Sequence, residues 1–299
     1  MQTVQGAANT LFRCHTMKSD PGARIHTFRL TGDGLSEVDV AGSSLDEVSQ
    51  HLPGGTYTTL RTFEKDRFLH LDAHLDRLEA SAHALHNPLI LDRSRLREAL
   101  ADALAHTGFA ESRLRITIPL NVKDTPDVYI TVAPFTAIAP ELYETGVRAV
   151  TMLIARALPR AKTTGFIAPS RSLKASLPHD VYEVLMVTGD GQILEGFTSN
   201  FFAFIQGRLV TAVEGVLEGI TRSIVLELAE TMFTVELRAP RLGEIPQFDE
   251  AFITSSSRGI LPIVVINEQV IGDGRPGPRT RRLRQTYDTY VKQAARPAI

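Results

Sequence analysis

A proline-containing stretch near the middle of the chain, APFTAIAPELYETG at residues 133–146, separates two groups of strand and helix patterns. Prolines and turn residues interrupt regular structure, so such a stretch is typical of a linker. We therefore place a domain boundary near residue 138, which gives one domain over 1–138 and a second over 139–299. A chain of 299 residues can fill both with hydrophobic cores.

The first group combines strands and helices. β-Branched and aromatic residues between turn residues predict strands at 25–31, 56–63, 113–120 and 127–135. Helices are predicted at 44–52, 68–85 and 92–106. Apolar residues recur at helical spacing in the second helix, where Asp72 is a candidate N-cap.

The second group is richer in strands. Strands are predicted at 147–154, 182–187, 200–205 and 208–211, and a helix of about 14 residues begins at GITRSIVLELAETM. The segment FDEAFITSSSRGILPIVVI reads as a strand, a polar turn and another strand. The fold class is α/β in the broad sense: a small N-terminal α+β domain and a larger C-terminal domain built on a mixed sheet or pseudo-barrel.

Composition narrows the class of partner. The net charge is −2 with acids and bases interspersed, which argues against a nucleic-acid surface or a basic membrane face and favours small-molecule substrates. No run of 18 apolar residues occurs, and residues 1–24 are expected to form a flexible polar extension. Cys14 is the single cysteine, so neither an intrachain disulfide nor a cysteine-based metal cluster is expected, and the cytoplasm is the expected compartment. No metal is assigned to the candidate site.

Two segments could bind an anion. The helix beginning at Gly219 could offer free backbone N–H groups and the Thr221 hydroxyl to a phosphate, unless Thr221 is a plain N-cap. Arg77 lies beside the apolar stripe of HLDRLEASA and needs an anionic partner. That partner is either a bound ligand or a neighbour such as Asp72, Asp76 or a glutamate.

Three further features carry possible chemistry. Lys162 in ALPRAKTTGF is one of six lysines against 26 arginines, and partial burial would make it a nucleophile and base; otherwise it is a surface lysine. The turn ITSSSRG, 253–259, offers hydroxyls and amides to a ligand or to its own backbone. Glu195 lies in LEGFTSNFF among strand formers. A phosphate-bearing pyridine aldehyde would need an anion site, an amine nucleophile and such a carboxylate together.

The ordered motifs GTYTTLRTF, HLDRLEASA, RAKTTGF, LEGFTSNFF, VLEGITRSIVLELA and AFITSSSRGILPIVVI, followed by IGDGRPGP, resemble those of a known family. The chain looks like a fold-type IV pyridoxal-phosphate enzyme of the class IV aminotransferases, which include branched-chain and D-amino acid aminotransferases and aminodeoxychorismate lyase. The resemblance covers residues 54–285. It implies pyridoxal 5′-phosphate as cofactor and a homodimer.

The resemblance also implies residue roles. Lys162 would form the Schiff base, 33 residues (195 minus 162) before the Glu195 that pairs with the ring nitrogen. The implied cofactor-binding set is Arg77, Glu195, Ser199, Asn200, Leu217, Ile220, Thr221 and Ser256. On the substrate side the resemblance implies Tyr57, and Arg115, Ser257 and Arg258 are further candidate substrate contacts. Arg115 could instead be an exposed strand arginine.

Three positions depart from the family pattern. Gly165 and Phe166 follow the lysine where an asparagine and an aromatic residue are common, and Thr58 stands where an acidic residue often follows the Tyr57 position. Arg258 and Gly259 replace a small residue and a glutamate, which brings a guanidinium near a possible substrate carboxylate. These departures put the lysine's local support and the substrate in question.

The expected activity is transfer of an amino group between an amino acid, of branched-chain or D-amino acid type, and a 2-oxo acid. A lyase that forms 4-aminobenzoate and pyruvate is the alternative within the same family. A non-catalytic cofactor-binding homologue is the third possibility, although it would have no chemical need for both Lys162 and Glu195.

Overall fold

The computed structural model describes residues 24–120 and 127–299. Its first sheet has seven strands: β1 (His26–Thr31), β2 (Gly34–Val38), β3 (Gly55–Phe63), β4 (Arg67–Phe68), β5 (Ser112–Pro119), β6 (Val128–Pro134) and β16 (Arg296–Pro297). Their order is β16-β4-β3-β5-β6-β1-β2, and every pairing is antiparallel. Three helices accompany this sheet: α1 (Leu45–His51), α2 (Leu71–Ala84) and α3 (Arg93–Thr107).

The two faces of this sheet differ in chemistry because side chains alternate along each strand. Leu60, Leu114 and Ile116 belong to a core that includes the apolar faces of α2 and α3. The strand register pairs Tyr57 with Thr117 and Arg61 with Arg113. The opposite face therefore carries polar and aromatic side chains toward the second half of the chain.

The second sheet has nine strands: β7 (Val147–Leu153), β8 (Val181–Val187), β9 (Ile193–Gly196), β10 (Asn200–Ile205), β11 (Arg208–Thr211), β12 (Val235–Leu237), β13 (Phe248–Ser255), β14 (Gly259–Ile266) and β15 (Gln269–Val270). The later helices are α4 (Pro140–Thr145), α5 (Ile167–Ala175), α6 (Ile220–Glu230) and α7 (Pro278–Ala294). Two short 3-10 helices cover Thr164–Phe166 and Leu242–Gln247.

The second sheet closes on itself. Its order is β12-β11-β10-β13-β14-β7-β8-β9, and β9 pairs again with β10 where Glu195 lies opposite Asn200. Parallel pairs β14–β7 and β7–β8 combine with antiparallel ones, so the sheet is mixed. The predicted pseudo-barrel is confirmed, and Glu195 lies at the point of closure.

Helix starts and lengths were predicted less well than helix positions. Asp72 is not the N-cap of α2: that helix begins at Leu71, and its N-cap is His70 in the left-handed conformation without a side-chain cap. The helix from 219 has 11 residues, shorter than predicted. Helices α4, α5 and α7 were not predicted, and each begins at or close to a proline that masks the helical pattern; α4 lies in the stretch predicted as a linker.

The division at residue 138 stays a prediction. The chain changes sheets between Pro134 and Val147, and its last strand, β16, returns to pair with β4 of the first sheet. The predicted extension over 1–24, with Cys14, lies outside the described residues except at its end. None of the helices described is long and apolar enough to cross a membrane.

Candidate active site

Lys162 lies between the two sheets, in the connection from β7 to α5. Its carbonyl accepts a hydrogen bond from the Tyr57 N–H at 3.0 Å, and its own N–H donates to Ser81 Oγ at 3.1 Å. A bridge between Thr56 and Thr163 adds a second link to β3. The Lys162 Nζ lies 4.9 Å from the centroid of the Tyr57 ring. Backbone contacts from the first half therefore fix this lysine at the junction.

The surroundings of Lys162 favour a neutral amine. Burial lowers the pKa of Lys162 well below its ordinary value, and the nearby cations Arg77, Arg156 and Arg115 lower it further. Glu195 opposes this shift. A neutral primary amine has the free electron pair that a nucleophile or general base requires.

Glu195 is 1% exposed, and its two carboxylate oxygens have different surroundings. Oε2 accepts from Asn200 Nδ2 at 2.9 Å and from the Leu217 N–H at 3.1 Å. Oε1 is buried and has no hydrogen-bond partner among the described residues; Arg156 Nη1 is 3.6 Å from it. Burial raises the pKa of Glu195 to about 7, against the opposing charge of Arg156.

A buried carboxylate oxygen without a donor is costly unless a ligand supplies one. A protonated pyridine nitrogen is such a donor, and it also stabilises the ionised carboxylate. The Glu195 oxygen that has no hydrogen-bond donor among the described residues and the Lys162 amine, whose pKa is lowered, therefore fit pyridoxal phosphate.

Arg77 has no carboxylate partner among the described residues. Its Nη2 donates to Thr58 Oγ1 at 3.0 Å and its Nη1 donates to the Glu218 carbonyl at 3.2 Å, while Nε is buried and unpaired. Burial lowers the pKa of Arg77 to about 10, so the side chain stays cationic at neutral pH. Asp72 and Asp76, considered above as partners, instead pair with Arg93 and Arg97.

The start of α6 lies next to Arg77. Gly219 is the N-cap and supplies no side-chain cap, so the alternative that Thr221 caps this helix is wrong. A Cβ at Gly219 would lie 2.0 Å from Asn200 Oδ1, so a side chain there would force the buried Asn200 amide to move. Ile220, Thr221 and Ser256 line one small cavity. A guanidinium, a helix N-terminus and two hydroxyl side chains suit a phosphate.

Arg115 is 3% exposed, so the alternative of an exposed strand arginine is wrong. Its Nη2 is 2.6 Å from Asp46 Oδ1, and its Nη1 donates to Ser49 Oγ at 2.7 Å and to the Leu45 carbonyl at 2.9 Å. The guanidinium carbon lies 4.6 Å from the centroid of the Tyr57 ring. Arg115 therefore anchors α1 behind Tyr57.

The turn after β13 is held by charged and polar contacts. Arg258 Nη1 is 3.2 Å from Glu183 Oε2, and its Nη2 donates to the Thr198 carbonyl at 2.7 Å. Ser199 Oγ also donates to Glu183, at 2.9 Å. Ser256, Ser257 and Arg258 line a cavity of about 400 Å³. The predicted serines thus reach a cavity, whereas Ser199 faces Glu183.

Several site residues were missed from sequence. Arg113 follows the same strand alternation as Arg115, which could have identified it; its Nε is buried and unpaired within the part of the chain described. No sequence pattern indicated a role for Glu183, which is fully buried in β8, or for Arg156, which pairs with Glu195. His74 Nδ1 is hydrogen-bonded to Thr58 Oγ1 at 2.8 Å, and the same hydroxyl oxygen accepts from Arg77 Nη2.

Comparison with known proteins agrees with this geometry. The family described as "Amino-transferase class IV" matches residues 55–266. The chain belongs to the class IV aminotransferases. The probable branched-chain-amino-acid aminotransferase of Thermotoga maritima is 31% identical over 247 residues, which cover 80% of this chain and 87% of that protein.

Two further class IV relatives extend the comparison. The D-alanine aminotransferase of Bacillus licheniformis is 26% identical over 269 residues, covering 86% of this chain and 94% of that protein. The crystal structure of a putative branched-chain amino acid aminotransferase from Thermotoga maritima superposes with a TM-score of 0.74 and 27% identity, covering 89% and 96% of the two chains.

Family membership confirms the prediction of a pyridoxal-phosphate-dependent aminotransferase with the fold-type IV architecture. The relatives are aminotransferases, so the lyase alternative is not favoured.

Proposed function

We propose that this class IV aminotransferase moves an amino group between an amino acid and a 2-oxo acid with the cofactor held between Lys162, Glu195 and the Arg77–α6 corner. The observation that carries the proposal is the buried Oε1 of Glu195, which has no hydrogen-bond donor among the described residues. A cofactor nitrogen at that oxygen would remove the cost of leaving it unpaired.

Bound pyridoxal phosphate supplies an aldehyde that condenses with amines and a ring that withdraws electrons from the substrate carbon. Lys162 is the catalytic residue in this proposal. Its Nζ would hold the cofactor through the amine and, when released by a substrate amine, would take and return the proton of the substrate carbon. The lowered pKa supports both tasks because each needs the unprotonated amine.

In this proposal the Glu195 carboxylate would accept a hydrogen bond from the protonated ring nitrogen of the cofactor. The Asn200 amide and the Leu217 N–H orient its carboxylate, so these two residues act on Glu195. Arg156 favours the ionised form. Ser199 acts indirectly in this proposal. Its hydroxyl donates a hydrogen bond to the buried Glu183 carboxylate, which pairs with Arg258.

The phosphate is assigned to Arg77, the start of α6 and Ser256. Arg77 keeps its positive charge but has only neutral acceptors among the residues described. The N–H groups of Ile220 and Thr221 belong to the first helical turn, where backbone donors have no intrahelical acceptor. A dianionic phosphate would satisfy these donors and the guanidinium together.

The substrate side is assigned to Tyr57, Ser257, Arg258 and Arg113. Tyr57 lies between the Lys162 amine and the Arg115 guanidinium, so Arg115 positions its ring. Arg113 is available for a substrate carboxylate because its Nε lacks a partner among the described residues. The names of the relatives support branched-chain or D-amino acids as donors. We place the enzyme in the cytoplasm as a homodimer.

The test is the near-ultraviolet and visible absorbance of the purified protein with L- and D-amino acids added in turn. Wild type should show the band of a lysine-bound cofactor, which particular amino acids shift. Lys162→Ala should lack this band, whereas Lys174→Ala on the exposed side of α5 should keep it. A wild-type band that no amino acid shifts would reject the aminotransferase substrate proposal, and an unchanged band in Lys162→Ala would reject the role of this lysine.

A further inference from the structure

A second group of ligating side chains lies in the first sheet, away from the residues assigned to the cofactor. His26 begins β1, Glu37 is in β2, and His106 is in the last turn of α3. His26 Nδ1 is 2.8 Å from Glu37 Oε1, and His106 Nε2 is 3.1 Å from Glu37 Oε2. One ligand atom from each residue lies within 4.8 Å of the others.

These separations suit a small divalent cation with nitrogen and oxygen ligands. Zinc binds imidazole nitrogens at about 2.0 to 2.1 Å and carboxylate oxygens at about 2.0 to 2.2 Å, so ligand atoms in a tetrahedron lie about 3.3 Å apart. The 2.8 and 3.1 Å separations are shorter than this value and involve the two different oxygens of Glu37, so the carboxylate must rotate or bind through both oxygens to hold one ion. Small rotations of the side chains would bring all three atoms around one ion.

Aromatic packing holds both imidazoles in place. The His26 ring stacks on Phe28 with centroids 6.4 Å apart and contacts Phe109 at 5.9 Å. The edge of His106 meets Phe28 at 5.4 Å and His26 at 5.8 Å. Rings fixed by packing lose little freedom when they bind a metal, which favours binding.

The local charge also permits a cation. Arg24 is a positive group beside the cluster: its Nη2 lies 4.0 Å from Glu37 Oε1 and 3.8 Å from Asp39 Oδ1. Arg24 and Asp39 therefore offset each other. The His106 side chain is 53% exposed, so water can complete the coordination of an ion at this position.

We propose that His26, Glu37 and His106 form a zinc site of the His₂Glu type. The ion joins the β1–β2 hairpin, at the edge of the first sheet, to the end of α3. Its role is structural, because an ion that binds the folded state alone stabilises it. The proposal is independent of the cofactor and of the proposed amino-group transfer.

The test is calorimetric titration of the chelator-treated, cofactor-loaded protein with Zn²⁺, together with thermal unfolding with and without the ion. Wild type should bind one Zn²⁺ per chain at this position and unfold at higher temperature when it is present. Glu37→Gln keeps a hydrogen-bond acceptor, and His106→Phe keeps an aromatic ring, but each removes a ligand. Each should weaken this binding at least about tenfold and abolish the thermal shift.

His83→Phe is the matched control, because His83 is an exposed histidine on α2 outside the cluster. It should bind and unfold like wild type, and all four proteins should retain the same aminotransferase rate. Equal Zn²⁺ isotherms for wild type, Glu37→Gln and His106→Phe would overturn the proposal and leave a hydrogen-bonded cluster only. Replacing Zn²⁺ by Co²⁺ should give a visible absorbance band in wild type that His106→Phe lacks.

Discussion

Glu195 is buried, with hydrogen bonds to one carboxylate oxygen and none to the other among the described residues. Its protonation should therefore be coupled to folding. Its pKa is raised to about 7 from an ordinary value of 4.5. Between these values the folded state binds more protons than the unfolded state. The associated stability is therefore complete below about pH 4.5 and declines as pH rises through about 7, by about 3 kcal/mol in total.

Glu195→Gln should remove this decline from the cofactor-free protein. Urea unfolding at about pH 5 and about pH 8 measures the free energy of unfolding of both proteins. Wild type should lose more stability than the variant across that interval. Parallel pH profiles for the two proteins would show that Glu195 does not titrate there.

Arg77 permits a test that separates the phosphate from the rest of the cofactor. Arg77→Leu removes a cation whose hydrogen bonds to a charged group are worth about 1.5 to 3 kcal/mol, so the dissociation constant of pyridoxal phosphate should rise by about 10- to 100-fold. Pyridoxal, which lacks the phosphate, is the control ligand and should bind both proteins alike. An equal loss for both ligands would assign Arg77 a general structural role instead.

At the scale of elements, β9, β10 and the start of α6 meet at one crowded point. Gly219 precedes α6, and a Cβ there would collide with the Asn200 side chain that orients Glu195. The φ of Gly219 is −71°, which any residue can adopt. The close contact between a Cβ and Asn200 Oδ1 is therefore the feature that disfavours a side chain there.

Gly219→Ala should therefore lower the free energy of unfolding by about 1 to 3 kcal/mol and weaken cofactor binding. Gly243→Ala is the control, because no atom lies within 4 Å of a Cβ at that position. Urea unfolding and cofactor titration measure both effects. A fully stable Gly219→Ala protein that binds the cofactor normally would contradict the close approach of α6 to β10.

At the scale of the whole molecule, exposed apolar side chains near the site favour a partner subunit. Leu153 and Leu158, on the segment leading to Lys162, are 73% and 46% exposed. Light scattering should give twice the 32.8 kDa mass of one chain. Leu158→Asp should shift the protein toward the monomer, whereas Leu237→Asp on β12 should not. A monomeric wild type would reject the proposed homodimer.

The sequence by itself determined the order of most strands and helices, a mixed sheet or pseudo-barrel in the second half, and the family. Alternating or helical spacing is a property of neighbouring residues, so 56–63 and 113–120 could be read as strands without the fold. The ordered motifs likewise predicted one site that contains Lys162, Glu195 and Arg77. The start of α2 and the existence of α4, α5 and α7 were missed because terminal and proline-containing turns carry weak periodicity.

Only the tertiary structure decided which partners these side chains have. Arg77 meets the carbonyl of Glu218, 141 residues later, while Asp72 and Asp76 turn to other arginines. Arg115 pairs with Asp46, whereas the buried Nε of Arg113, two residues earlier, has no hydrogen-bond partner among the described residues. The free oxygen of Glu195 follows from where β9, β10 and α6 converge. Such contacts depend on distances between remote segments, which local spacing along the chain does not encode.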